Sequence, residues 1–308
     1  MIGKTFFSIM LLLSSCGVSK SDFDILKKEN GFLKQELADL QAKNEALAYL
    51  TNHSKVVISN SDVKEILSKY TGQKYKIKVK FPRDYAQTDS KYPVLYILDA
   101  ETNFGGVSYI VQRLIKDKLI PPILLVGVAY GTDYRSFYKL RSRDLTPTED
   151  TKLRMGGAKP DPTGGAEHFI SFMNDELFPF IEDNYRIKKG ERAIYGHSYG
   201  GLFGSYVFLK QPHLFNKYLL LSPSLWYDKN LLLDEVKTFD NQLVPTNLYM
   251  ASGELEGRID DLQIKFMNSL KERNSKNLNL KSEVMEDETH RTIFGAGFTN
   301  GLRFLYAK

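Results

Sequence analysis

Gly196-His197-Ser198-Tyr199-Gly200 stands between two apolar runs, and no other feature of the chain restricts its fold as tightly. Ala193-Ile194-Tyr195 leads in with the character of a strand, and Leu202 to Leu209 leads out as a buried helix. The pattern G-x-S-x-G needs that setting. Its serine occupies a sharp strand-to-helix turn, and the residues two positions away must be small because strand and helix pack closely there. The spacing assigns Ser198 as a nucleophile.

The rest of the chain supplies a frame for such a turn. Pro93 to Leu98 and Ile123 to Val128 are continuous apolar runs, as in strands buried on both faces. Further strands are expected at 192–195, 218–221, 247–251 and 278–284. Helices are expected at 104–118, 166–185, 199–210, 258–273 and 292–306. This alternation predicts an α/β domain with a mostly parallel central sheet covered by helices on both faces. Tyr75, Ile77, Val79 and Phe81 alternate with Lys74, Lys76, Lys78 and Lys80, which predicts a sheet-edge strand with one solvated face. Gly131 to Gly165 is polar and rich in Gly, Pro, Thr and Arg, and reads as a long loop serving as a lid or substrate wall.

A serine hydroxyl needs a positioned base, and in folds with this turn the chain order is serine, acid, histidine. Of five histidines, two follow Ser198. His290 lies between the last strand and the last helix, where the base belongs. His213 reads as a surface or capping residue. His197 lines the site, His168 begins a helix and His53 falls in a linker. The acid is expected in the loop after 247–251. Glu256 is favoured, with Glu254 as its rival and Asp260 and Asp261 behind them. Two backbone amides are needed for the oxyanion. One is that of Tyr199, the other that of Ala100 or Glu101. Arg143 either grips an anionic or catechol-bearing substrate or props its loop through a neighbouring carboxylate. Trp226 forms an aromatic pocket wall or packs in the core.

Composition narrows the partners. With 42% hydrophobic and 26% charged residues the chain is an ordinary globular sequence, and a net charge of +5 spread along it does not argue for nucleic acid. A single cysteine excludes an internal disulfide and every multi-cysteine metal site, and the histidines lack ligand spacing, so neither metal nor cofactor is expected. Residues 1–15 have the positive start and short apolar core of a secretory signal. Leu13-Ser14-Ser15-Cys16 resembles a bacterial lipobox, which implies acylation of Cys16 and an exported, membrane-anchored lipoprotein. A tether, 16–22, follows. Over 23–50, Leu26, Leu33, Leu40 and Leu47 occupy d positions, and Phe23, Asn30, Leu37 and Asn44 occupy a positions, of a coiled coil. That stalk, about 40 Å long, predicts a homo-oligomer. The catalytic domain is expected over 55–308.

The motifs of that domain resemble the esterase family of α/β-hydrolases that includes enterochelin-type trilactone esterases, feruloyl and acetylxylan esterases and mycolyltransferases. The matching segments, in order, are 92–99, Arg143-Asp144-Leu145-Thr146-Pro147, Gly164-Gly165-Ala166 with 176–179, Gly196 to Gly201, Ser222-Pro223-Ser224-Leu225-Trp226 and Gly253 to Glu256. Ala100 and Thr289 replace glycines usual in the family. The resemblance implies an α/β-hydrolase fold, a triad of Ser198, Glu256 and His290, and Glu101 as the second oxyanion donor. It further implies hydrolysis of carboxylic esters, with siderophore lactones or plant-polymer esters as substrates. Acyl transfer and a non-catalytic surface-binding lipoprotein are the alternatives.

Overall fold

The computed structural model describes residues 19–52, 57–152, 161–239 and 243–307. They form two units divided between Val57 and Ile58. Cys16, residues 1–15 of the expected leader and His53 lie outside the described residues, as does 153–160 within the expected lid.

The first unit is one helix, α1 (Lys20–Asn52, 33 residues). Ser19 Oγ accepts the Asp22 amide at 3.2 Å, and the Asp22 carboxylate accepts the Ser19 amide at 3.2 Å. This reciprocal cap starts the helix inside the segment read as a tether. Leu26, Leu33, Leu37 and Leu40 are 56–61% exposed along it. Among the described residues no helix is long and apolar enough to cross a membrane.

The second unit is built on eight strands: β1 (Ser61–Leu67), β2 (Lys74–Lys80), β3 (Tyr92–Ile97), β4 (Leu124–Ala129), β5 (Ile187–His197), β6 (Lys217–Leu221), β7 (Thr246–Gly253) and β8 (Leu278–Met285). Their order in the sheet is β1-β2-β4-β3-β5-β6-β7-β8. β2 runs antiparallel to β1 and β4, and every other pair is parallel. Alternate residues feed two cores, as strand geometry requires. Leu95 and Ile97 pack with α2 (Ala100–Lys116), while Val94 and Tyr96 belong to the opposite core. That opposite layer holds α3 (Tyr134–Leu145), α4 (Ala166–Phe172), a π-helical turn (Met173–Leu177), α5 (Phe178–Asn184), α6 (Tyr199–Lys210), α7 (Tyr227–Glu235) and α8 (Arg258–Glu272). The last helix, α9 (Phe294–Leu305), returns to the face of α2. The result is the mostly parallel α/β-hydrolase architecture expected.

Three local expectations are corrected. β2 is an inner strand, because β1 pairs with its outer side. Its lysine face is not simply solvated: Lys78 Nζ donates to the Ala100 carbonyl and Lys80 Nζ to the Ser59 carbonyl, each at 2.9 Å. Long lysine stems cover apolar surface and reach carbonyls at the strand margins. The stretch 131–165 is not all loop, since α3 occupies Tyr134–Leu145. Asp133 caps that helix by accepting the Arg135 and Ser136 amides at 3.0 and 3.1 Å.

Candidate active site

The parallel strands point their C-terminal ends one way, so the loops that leave them converge. Ser198 joins β5 directly to α6 with φ 60° and ψ −115°. A non-glycine residue with positive φ is strained and persists only where its surroundings over-determine it. Here they do. The Ser198 amide donates to the Leu221 carbonyl at 3.0 Å, and its carbonyl accepts the amides of Leu202 at 2.9 Å and Ser224 at 3.1 Å. Gly196 is the tight point of the motif, since a Cβ there would lie 2.1 Å from the Gly200 carbonyl oxygen. Gly200 is less confined, as its Cβ would meet Asp99 Oδ2 at an ordinary 3.5 Å.

His290 lies in the turn between β8 and α9, and its Nδ1 is 2.6 Å from Glu256 Oε2. Glu256 ends a short turn after β7. Its other oxygen accepts Ser222 Oγ at 2.6 Å and the Gly253 amide at 2.6 Å, and its side chain is 1% exposed. Burial alone would raise this carboxyl. The hydrogen bonds from His290, Ser222 and Gly253 outweigh it and hold the group below the usual glutamate value. With Nδ1–H donating to a carboxylate, Nε2 is the nitrogen left to take a proton. Glu254, the rival acid, is exposed and accepts the Asp287 amide at 3.3 Å. Asp260 and Asp261 sit in the first turn of α8.

His197 makes a contact that its sequence position did not suggest. Its Nε2 lies 2.6 Å from the His290 carbonyl oxygen, with the two rings 4.6 Å apart. Burial, followed by the neighbouring His290, pushes His197 down to about 4, so the ring is neutral near pH 7 and donates Nε2–H. It holds the backbone of His290. Ser198 Oγ is paired more loosely, 3.4 Å from Ser224 Oγ. Among the described residues no hydrogen bond joins Ser198 to His290. Such contacts are often long until substrate is bound.

Tyr199 and Glu101 occupy the first and second positions of α6 and α2, where helical amides lack intrahelical acceptors. The Glu101 side chain adds a tie that was not foreseen. Oε1 accepts the Tyr130 amide and, at 3.0 Å, the Gly131 amide, which fastens α2 to the loop after β4. Burial raises this carboxyl against the opposing hydrogen bonds from nearby backbone amides, among them those of Gly131 and Tyr130.

Arg143 directs Nε and Nη2 to Asp144 at 2.6 and 3.1 Å, and the fully buried Asp144 also accepts the Tyr75 hydroxyl at 2.5 Å. This is the propping arrangement, not an open anion grip. A second arginine, Arg141, packs against Tyr199, the residue after Ser198, and sequence reasoning missed it. It is 7% exposed, grips Asp99 at 2.8 and 2.7 Å, and lies 5.2 Å from the Tyr199 ring centroid. Asp99 is itself left-handed at φ 52° and caps α2. A signal existed in Arg141-Ser142-Arg143, because residues two apart on a helix face different ways. Trp226 is 37% exposed with its ring 6.1 Å from that of Tyr199, so it is not simply core. Among the described residues no group of three or more His, Cys, Asp and Glu side chains is placed to hold a metal ion.

A buried carboxylate paired with a histidine, and a strained serine at a strand-to-helix turn, are the parts that acyl-group hydrolysis needs. The family model described as "Putative esterase" matches residues 68–292. The chain belongs to that family. This esterase is 33% identical over 212 residues to the ferri-bacillibactin esterase BesA of Bacillus subtilis, covering 65% of the chain and 72% of the relative. It superimposes on the BES protein of Bacillus cereus with a TM-score of 0.76 at 28% identity, covering 83% of this chain and 100% of that one. An IroE-like serine hydrolase from Shewanella oneidensis gives 0.71 at 29% identity, covering 80% of each chain. The esterase is a carboxylic ester hydrolase.

Proposed function

We propose that Ser198, His290 and Glu256 form the triad of this esterase and that its substrate is a siderophore ester. Ser198 Oγ attacks the ester carbonyl as His290 Nε2 takes its proton. The amides of Tyr199 and Glu101 hold the oxyanion as charge develops on the substrate. His290 then protonates the leaving alcohol and activates water against the acyl-enzyme. The observation that carries the triad is the 2.6 Å pair between His290 Nδ1 and the buried Glu256, which follows the Ser198 turn in the required chain order. The same pair argues against a non-catalytic scaffold. A small organophosphonate should label one serine per chain, and Ser198→Ala should abolish both labelling and p-nitrophenyl ester turnover. Labelling elsewhere removes Ser198 from the role.

The siderophore reading rests on the names of the relatives just given. Hydrolysis of an iron-loaded catecholate lactone, followed by chromatography of the released arms, should exceed hydrolysis of a feruloylated sugar. The reverse order favours a plant-polymer ester. Transfer to an added alcohol instead of water marks an acyltransferase.

The leader and heptads extend the proposal to place and assembly. The esterase is exported, acylated at Cys16, and paired through the exposed leucine stripe of α1. Labelled palmitate should enter the wild type and not Cys16→Ala. Sedimentation with and without 20–50 tests pairing, and a monomer in both cases ends it.

A further inference from the structure

The site groups gather beyond the C-terminal ends of β5, β7 and β8. A cavity of about 500 Å³ opens at the other end of the sheet, where Lys80, the last residue of β2, pairs with Leu125 near the start of β4. Val111, Ile123 and Leu125 are 1–2% exposed and form part of its apolar lining, with Ile115 beside them. The charged lining residues are Lys80, Arg83 and Lys116, and no carboxylate lines it.

The three cations are not equivalent. Arg83 and Lys116 are exposed. Lys80 is 8% exposed, and its Nζ donates to the Ser59 carbonyl at 2.9 Å. An ammonium has three donors. Among the described residues no carboxylate forms an ion pair with Lys80, and burial is the cause that pushes its ammonium below the ordinary value. A buried charge without a counterion is costly. An apolar side chain at this position would carry no such cost. A ligand that brings one negative charge and an apolar body removes it.

We propose that this cavity binds a single-chain amphiphile with a carboxylate head, a fatty-acid-like molecule, its head on Lys80 and its chain along Val111, Ile115 and Leu125. One buried ammonium matches a singly charged head, whereas the further charge of a phosphate monoester would have to be met by cations that sit in water. The volume falls in the range of small-molecule sites, roughly 300–1,000 Å³. The cavity shares no residue with the triad, so its occupancy and the ester reading stand or fall separately.

The test is calorimetric titration of the full chain with oleate below its micelle concentration, before and after organophosphonate treatment. One saturable site is expected, unchanged by the treatment. Lys80→Met should weaken binding at least about tenfold, the loss of one charge-assisted contact, while Lys80→Arg retains most of it. Ile115→Trp, entering from a partly exposed wall, should abolish it. Oleyl alcohol should bind at least about tenfold more weakly than oleate, for the same reason. Hydrolysis of p-nitrophenyl acetate, unaltered in Lys80→Met and Ile115→Trp, reports folding and activity independently. Absence of saturable binding overturns the proposal, as does equal affinity in Lys80→Met, loss of binding on organophosphonate treatment, or tighter binding of an alkyl phosphate of equal chain length.

Discussion

The two sides of the active site are held to different standards. On the histidine side, Glu256 is buried and accepts three donors at 2.6 Å, while the His290 backbone is gripped by His197 at the same distance. On the serine side the backbone is fixed by three hydrogen bonds, yet Ser198 Oγ has only a 3.4 Å contact with Ser224. The difference follows from what each group does in the proposed triad. The imidazole must keep one tautomer and one orientation through a cycle of proton transfers. The hydroxyl must leave whatever holds it and bond to carbon, so a tight partner would oppose the reaction.

Variants can break this contrast in order of severity. Ser198→Ala and His290→Ala remove the proposed nucleophile and base, and each should lower kcat by at least about 10⁴-fold with circular dichroism unchanged. Glu256→Gln should cost about 10²- to 10⁴-fold in kcat with little change in KM, because the amide no longer stabilises the charged imidazole. It should also lower the melting temperature, since the Ser222 hydroxyl and the Gly253 amide lose a charged acceptor. The depressed Glu256 carboxyl contributes stability above the ordinary glutamate range, and this is lost as pH falls through its lower folded value.

His197→Ala should be milder, about 5- to 10-fold in kcat, the worth of one hydrogen bond of about 1 kcal/mol. His197→Gln, which keeps a donor, should recover part of that activity. A pH scan of stability checks that the ring is held neutral by burial. The folded ring takes its proton near pH 4, the unfolded one near 6.5. Between those values the unfolded state binds more protons, so wild-type stability should fall as pH drops from about 6.5 toward 4. In His197→Gln that component of the fall should be missing. Ser224→Ala should be the smallest change, under about 3-fold, because 3.4 Å is beyond a normal O–H···O bond. A large loss there would show that the serine side is held as firmly as the other.

Much of the site was legible because its logic is serial. The Ser198 turn has a required local pattern, and His290 was singled out by chain order together with its position between the last strand and the last helix. The acid was harder. Glu254 and Glu256 share one short turn, and spacing does not say which of them faces a histidine reached through another strand. The structure answers through Gly253 and Ser222, whose donors converge on Glu256 alone. Arg141 was passed over for a similar reason, since the local pattern of Arg141-Ser142-Arg143 does not reveal that its partner Asp99 follows a distant strand. In the fold, β1 was missed because Ser61 to Leu67 is an exposed edge strand without clean alternation, defined by its pairing to β2. The β2 lysines were misread because polarity reports a residue's type and not how far its stem can reach.

Three residues around the catalytic loops, Asp99, Ser198 and Ser222, carry side chains on backbones with φ of 52°, 60° and 43°. Left-handed or related geometry at a non-glycine costs about 1–3 kcal/mol per residue, and glycine would remove most of it. The fold therefore rests under a standing temptation. Any descendant freed from cleaving esters gains robustness by trading the whole side chain at Ser198 for a hydrogen, so the serine persists only for as long as its chemistry is wanted.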